Sequence, residues 1–174
     1  MAREIELKIR LSDPEPFCRR LAAEAEALGP YIKDDTYFRG DSGAFRLRRS
    51  GQTQVVCLKQ KTVSQGIETS REIEYSVDDP EAFKAFAAAL GFQEWYRKQK
   101  TGRAWRWHGI LIEEGTVAAL GWFAELEILL ADDAGDEAIE DARQSLLGAV
   151  TALGAQIADI EPRPYAQLLG HKER

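Results

Sequence analysis

Charged side chains in this 174-residue sequence recur at a spacing of two, and most pairs carry a single sign. Glu4 and Glu6 lead at the same spacing into Lys8 and Arg10. Arg46/Arg48, Lys59/Lys61, Glu72/Glu74, Lys98/Lys100 and Glu125/Glu127 follow. In a β-strand, residues i and i+2 point to one side, so each pair shares a face and apolar residues such as Ile5, Leu7 and Ile9 take the other. Like charges about 5 Å apart repel by on the order of 3 kcal/mol at an effective dielectric near 20. Such pairs persist where opposite charges, cations or an anionic ligand offset them. Carboxylates are oxygen donors for hard divalent ions, and Arg and Lys take phosphate oxygens. The chemistry these residues suit is that of a metal-bound polyphosphate.

The elements that must position them read as alternating blocks. Strands are predicted over 3–11, 31–39, 44–50, 53–61, 67–77, 94–100, 103–107, 109–114 and 122–130, with glycine-containing turns between several of them. Helices are predicted over 14–28, with Asp13 as cap, Pro14 at the first position and Gly29 as stop, and over 80–90, between Asp79 and Gly91. Apolar residues at helical spacing predict a third over 136–153, and a short helix over 163–169 ends the chain. The basic run Arg97–Arg103 reads as a hairpin turning at Gly102 in preference to a nucleic-acid contact, and the four tryptophans as core or barrel exterior in preference to a purine pocket at one mouth of a barrel. Arg3-Glu4-Ile5-Glu6 recurs as Arg71-Glu72-Ile73-Glu74, which predicts one domain over 1–174 built of two similar halves, about 1–66 and 67–174. About eight mostly antiparallel strands with few helices make the fold class α+β, and such a sheet either packs its apolar faces on one shared core or closes into a β-barrel with the helices outside. Closure would bury edges, turn apolar faces to the helices, and leave the charged faces lining a lumen just wide enough for side chains or a small ligand.

Composition narrows the partners. A net charge of −6 argues against general nucleic-acid binding. Two cysteines without metal or disulfide spacing fit a reducing cytoplasm, and no apolar run reaches transmembrane length. Two histidines make a histidine-based site a poor fit. No GxxxxGK[ST] or GxGxxG loop is present, so phosphate is not held at a helix N-terminus.

Glu4-x-Glu6-x-Lys8 resembles the ExExK signature of the CYTH, or triphosphate tunnel, family. The likeness runs on in order through Asp35-x-Tyr37-Phe38, Arg46-x-Arg48, Leu58-Lys59-x-Lys61, Arg71-Glu72-x-Glu74, Lys98-x-Lys100 and Leu120-Gly121-x-Phe123-x-Glu125-x-Glu127. The tail Glu161-Pro162-Arg163-Pro164-Tyr165 resembles that of bacterial class IV adenylyl cyclases. The resemblance implies an eight-stranded antiparallel closed β-barrel, the tunnel, with helices packed outside, in which Glu4, Glu6, Glu125 and Glu127 ligate Mg²⁺ or Mn²⁺. It implies that Lys8, Arg46, Arg48, Lys59, Lys61, Lys98 and Lys100 hold a triphosphate, and that Glu72 and Glu74 orient these cations. Lys8, with Glu4 and Glu6, is the candidate catalytic group, and Tyr37 a supporting one. Family members usually carry an aspartate before the Leu-Gly-x-Phe segment. Here Glu113-Glu114 stands there; Glu113 is favoured as the fifth metal ligand, and either side chain could serve.

Two reactions share this clamp. In a cyclase the ribose 3′-hydroxyl attacks the α-phosphorus and pyrophosphate leaves; in a triphosphatase water attacks the terminal phosphorus of an inorganic, thiamine or nucleoside triphosphate. The tail places the cyclase first. A non-catalytic binder of nucleotide or polyphosphate is the alternative of another class, and the resemblance leaves a homodimer open.

Overall fold

A computed structural model describes residues 2–171. Its eight strands are β1 (Ala2–Arg10), β2 (Glu26–Gly40), β3 (Gly43–Ser50), β4 (Thr53–Ser64), β5 (Ile67–Ser76), β6 (Gln93–Trp107), β7 (Ile110–Val117) and β8 (Gly121–Ala131). They close into an antiparallel barrel in the order β1-β5-β4-β3-β2-β6-β7-β8, with β8 returning to β1. The helices are α1 (Glu15–Glu24), α2 (Pro80–Ala89), α3 (Asp136–Ala152) and α4 (Tyr165–Leu168). The two tetrapeptide copies lie side by side, with Arg3 opposite Arg71.

Closure sorts the side chains as the period-two pattern demands. Ile5, Leu7 and Ile9 of β1, Leu126 of β8 and Ile112 of β7 face outward and meet Phe17 and Leu21 of α1 and Leu146, Ala149 and Val150 of α3. A second apolar cluster, Phe38, Leu47 and Val56 with Phe45, Phe83 and Phe92, lies at α2. The third is Val117, Phe123 and Tyr165, which brings α4 against β7 and β8. Trp105, Trp107 and Trp122 belong to the first cluster, as their sequence context predicts.

Three expectations are corrected. The first helix ends at Glu24, not residue 28, and Pro14 rather than Asp13 occupies its cap position; Asp13 accepts the Glu15 N–H at 3.3 Å. Residues 26–28 instead open β2, where Glu26 pairs with Arg106; long-range pairing overrides the helix propensity of an alanine-rich segment. The Arg97–Arg103 run is no hairpin: β6 is continuous through Gly102. Gly102 pairs with Gly115 of β7, and a Cβ on Gly102 would sit 1.9 Å from the Glu114 carbonyl oxygen. This glycine marks a close backbone approach, not a turn. Trp95, finally, lines the central cavity instead of lying in the core or on the exterior.

Candidate functional site

The inner faces enclose a cavity of about 560 Å³. Pairing register decides which charges meet. Lys59 of β4 lies opposite Glu72 of β5, Glu6 of β1 opposite both Glu127 of β8 and Glu68 of β5, and Asp35 of β2 opposite both Arg48 of β3 and Lys98 of β6. Because inner positions recur every second residue, a pattern of signs along each strand becomes two sectors around the lumen, one acidic and one basic.

In the acidic sector Lys59 Nζ is a hub, 2.8 Å from Glu4, 3.3 Å from Glu6, 2.8 Å from Glu68 and 3.3 Å from Glu72. One ammonium does not neutralise this many carboxylates. Burial, a hydrogen bond to Glu6 and the neighbouring acids raise Glu4 to about 10. Burial and Glu6 raise Glu127 to about 7. Burial would also raise Glu6, but Lys59 holds it at about 2. Lys100, fully buried, pairs with Glu113 at 3.3 Å and with Glu125; these carboxylates outweigh burial and keep it charged.

The basic sector is built on Asp35, which is fully buried. It accepts Arg48 Nε at 2.7 Å and Arg48 Nη2 at 2.9 Å, and lies 3.3 Å from Lys98 Nζ. Burial would raise its carboxyl, but Arg48 and Lys98 hold it well below the usual carboxylate range. Arg46 lies 3.6 Å from Glu74, and its Nε–H is buried with no acceptor among the described residues. A buried unpaired guanidinium N–H is costly, so this donor is oriented for something the protein itself does not supply.

Of the residues singled out from sequence, Glu4, Glu6, Tyr37, Arg46, Arg48, Lys59, Lys61, Glu72, Glu74, Lys98, Glu113, Glu125 and Glu127 all line this cavity. Glu72 lies 3.3 Å from Lys59 and Glu74 3.6 Å from Arg46. Lys8 and Lys100 continue the inner-face register of Glu6 and Lys98 but are engaged by protein groups, Lys100 by Glu113 and Glu125. Lys8 Nζ donates to the Arg163 carbonyl at 2.6 Å and sits 4.3 Å from the centre of the Tyr165 ring; burial lowers its pKa. Lys61 reaches Glu68 at 2.8 Å and is partly exposed. The Glu113/Glu114 alternative resolves by strand alternation: Glu113 faces the lumen beside Lys33, whereas Glu114 faces the outer core and accepts Trp105 Nε1 at 3.3 Å.

The five expected metal ligands lie on one arc of the wall, on the adjacent strands β7, β8 and β1, without three of their oxygens coming within 4.8 Å of one another. Among the described residues, the trio with ligand atoms within 4.8 Å of one another is Cys57, Glu72 and Glu74. Arg46 beside it and a thiol raised by burial to about 12 make that trio a poor cation site. The donor chemistry of Glu4, Glu6, Glu113, Glu125 and Glu127 does fit Mg²⁺ or Mn²⁺: all are carboxylate oxygens, and the burial and mutual repulsion that raise Glu4 and Glu127 are what a divalent cation would offset.

Sequence reasoning gave no role to Lys33, Asp35, Arg39, Glu68 or Tyr96, set Trp95 aside as core or exterior, and used Tyr165 only as part of the tail. Asp35 and Glu68 carried a readable signal, since each continues the inner-face register of residues already chosen, Tyr37 and Glu72. The lumen positions of Trp95 and Tyr165 carried none, because a bulge and a returning tail place them. Tyr165 donates to Glu125 Oε1 at 2.7 Å and its ring centre lies 4.5 Å from Lys98 Nζ.

The structure is a closed eight-stranded antiparallel tunnel whose inner wall carries a carboxylate-rich sector and a sector with two guanidinium groups. The CYTH domain matches residues 2–165, and the chain belongs to that family. Adenylate cyclase CyaB of Aeromonas hydrophila is 27% identical over 176 residues, covering 95% of this chain and 87% of that protein. The PH1012 protein of Pyrococcus horikoshii shares the fold with a TM-score of 0.82 at 24% identity, covering 95% and 98% of the two chains. HpAC1 from Hippeastrum, named for adenylyl cyclase and described as having a dominant triphosphatase activity, aligns with a TM-score of 0.65 at 17% identity over 99% and 98%.

Proposed function

We propose that this protein is a metal-dependent enzyme acting on a triphosphate inside the barrel, in the manner of a class IV adenylyl cyclase that converts ATP to cyclic AMP and pyrophosphate. The observation that carries the reading is the orphaned, buried Nε–H of Arg46 in a lumen shared with Arg48 and Lys98. Buried cations that lack a full set of acceptors bind multivalent anions well, and guanidinium forks match phosphate oxygens.

Arg46, Arg48 and Lys98 bind the phosphate chain, and Asp35 holds Arg48 and Lys98 in register. Glu4, Glu6, Glu113, Glu125 and Glu127 would hold Mg²⁺ or Mn²⁺, which when bound supplies positive charge to phosphate oxygens. The closed wall limits competing water. In the cyclase reaction the ribose 3′-oxygen forms a bond to the α-phosphorus, the bond to the bridging oxygen breaks, and pyrophosphate leaves with that electron pair; the hydroxyl loses its proton. Positioning and charge stabilisation are the main demands of such a transfer.

A triphosphatase is the second reading, favoured by the activity described for HpAC1, whose fold this chain shares. Incubation with ATP and with tripolyphosphate, each with Mg²⁺ or Mn²⁺, separates the two by quantifying cyclic AMP, pyrophosphate and orthophosphate. Cyclic AMP with stoichiometric pyrophosphate is the expected result. Orthophosphate without cyclic AMP overturns the cyclase in favour of the triphosphatase, and no turnover with any metal overturns both.

A further inference from the structure

The cations of the lumen divide by the carboxylates they hold. Arg46, Arg48 and Lys98 lie against Glu74 and Asp35, which are outside the candidate metal set. Lys59, Lys33 and Lys100 instead pair with candidate ligands: Lys59 with Glu4 and Glu6, Lys33 with Glu113, and Lys100 with Glu113 and Glu125. Lys59 alone of these three also holds two carboxylates outside the set, Glu68 at 2.8 Å and Glu72 at 3.3 Å. An ammonium has three N–H donors and here faces four carboxylates, so no single arrangement satisfies them all. Its stem is flexible, and the side chain is still 23% exposed on the cavity wall. Lys59 can therefore give up Glu4 and Glu6 while keeping Glu68 and Glu72.

The structure assigns Lys59 the role of a built-in competitor of the divalent cation: a tethered ammonium that neutralises Glu4 and Glu6, and releases them to the metal when a phosphate oxygen of the substrate takes their place. This inference rests on the metal-dependent triphosphate reading of the lumen and goes beyond it by making the two ligands regulate each other at one side chain. A divalent cation and an ammonium at the same two carboxylates repel each other, and more strongly in a half-buried wall than in water. Metal by itself must overcome that repulsion. Metal with triphosphate does not, because the phosphate chain offers Lys59 new acceptors. Each ligand thus strengthens the other by the same factor, and the protein discriminates against loading with metal alone.

The test measures Mn²⁺ affinity in phosphate-free buffer, by calorimetric titration and by paramagnetic resonance of the free ion, in wild type, Lys59→Met, Lys59→Arg and Lys61→Met. Lys59→Met keeps the stem and removes the charge, and is expected to tighten Mn²⁺ at least about ten-fold. Lys59→Arg keeps the charge and should stay within about three-fold of wild type. Lys61 pairs with Glu68, outside the metal set, so Lys61→Met controls for losing one positive charge from the same strand and should tighten Mn²⁺ by less than about three-fold. Unchanged or weaker binding in Lys59→Met, or equal tightening in Lys61→Met, overturns the competitor role. If Lys59→Met does not fold, the wild type answers by NMR: the Lys59 Nζ resonance, assigned by its loss in Lys59→Arg, should shift when Mg²⁺ is added, and an unshifted resonance overturns the role. A separate titration of wild type with Mn²⁺ and tripolyphosphate tests the underlying reading. No binding there removes the triphosphate site, whatever Lys59→Met does to the metal.

Discussion

Asp35 shows how one side chain can organise a site. Its carboxylate is the common partner of Arg48 and Lys98, three charges drawn from three adjacent strands. Removing one member of a buried ionic group leaves the others unpaired, at a cost of about 3 kcal/mol. Asp35→Asn should therefore lower the melting temperature markedly and weaken triphosphate binding, as thermal unfolding and titration would record. The pH dependence follows from the direction of the shift. The folded pKa lies below the unfolded value, so this contribution is fully present above about pH 4 and is lost as pH falls from there toward the folded value. The wild-type advantage over Asp35→Asn in melting temperature should shrink as pH drops below about 4. Glu4 and Glu6 test the other sector. Glu4→Gln with Glu6→Gln keeps side-chain volume and removes two anionic donors, so metal-dependent turnover should fall at least about 100-fold while circular dichroism stays unchanged. Wild-type turnover in that variant would put the metal elsewhere.

At the level of the elements, position in the barrel decides what a glycine means. Gly102 and Gly115 face each other across β6 and β7, and a Cβ on either would fall within 2.2 Å of a backbone oxygen of the facing strand. Backbone cannot move aside as a side chain tip can. Gly102→Ala should cost several kcal/mol or force a register change, read as a large drop in melting temperature or soluble yield. Gly148 lies mid-helix in α3 with nothing within 4 Å of its would-be Cβ. Gly148→Ala should instead stabilise by about 0.5–1 kcal/mol. The sequence alone placed Gly148 inside the third helix, and it placed Gly102 in a turn because a glycine after a basic run is the usual hairpin signal. The second helix, by contrast, was fully legible: Asp79 accepts Glu81 and Ala82 N–H at 3.1 and 3.0 Å, the local chemistry its position predicts.

For the whole molecule, closure makes ligand binding and stability one equilibrium. Ligands that bind only the closed barrel stabilise it by about 2.7 kcal/mol at 100 times Kd, which for a chain of this size corresponds to about 5–10 °C. Mn²⁺ with tripolyphosphate should therefore raise the melting temperature in a concentration-dependent manner, and the Glu4→Gln, Glu6→Gln double variant should show little of that rise. A large shift in the double variant would mean that the carboxylates do not hold the cation. No helix among the described residues is long and apolar enough to cross a membrane.

Residue spacing by itself determined the strand faces and the two charge classes, because side-chain direction in a strand follows from a period of two and needs no partner; the ordered motifs carried the resemblance to the family. It also reached most of the cavity wall, since the inner-face register of each strand is a local property. Only the tertiary structure decided which charges meet. Lys59 reads as a phosphate ligand yet stands among Glu4, Glu6, Glu68 and Glu72, because its neighbours across β5 and β1 are acidic. Lys8 is drawn to the Arg163 carbonyl by a tail that is more than 150 residues away in sequence. Trp95 reaches the lumen through a bulge, a mismatch between two strands that neither strand encodes alone.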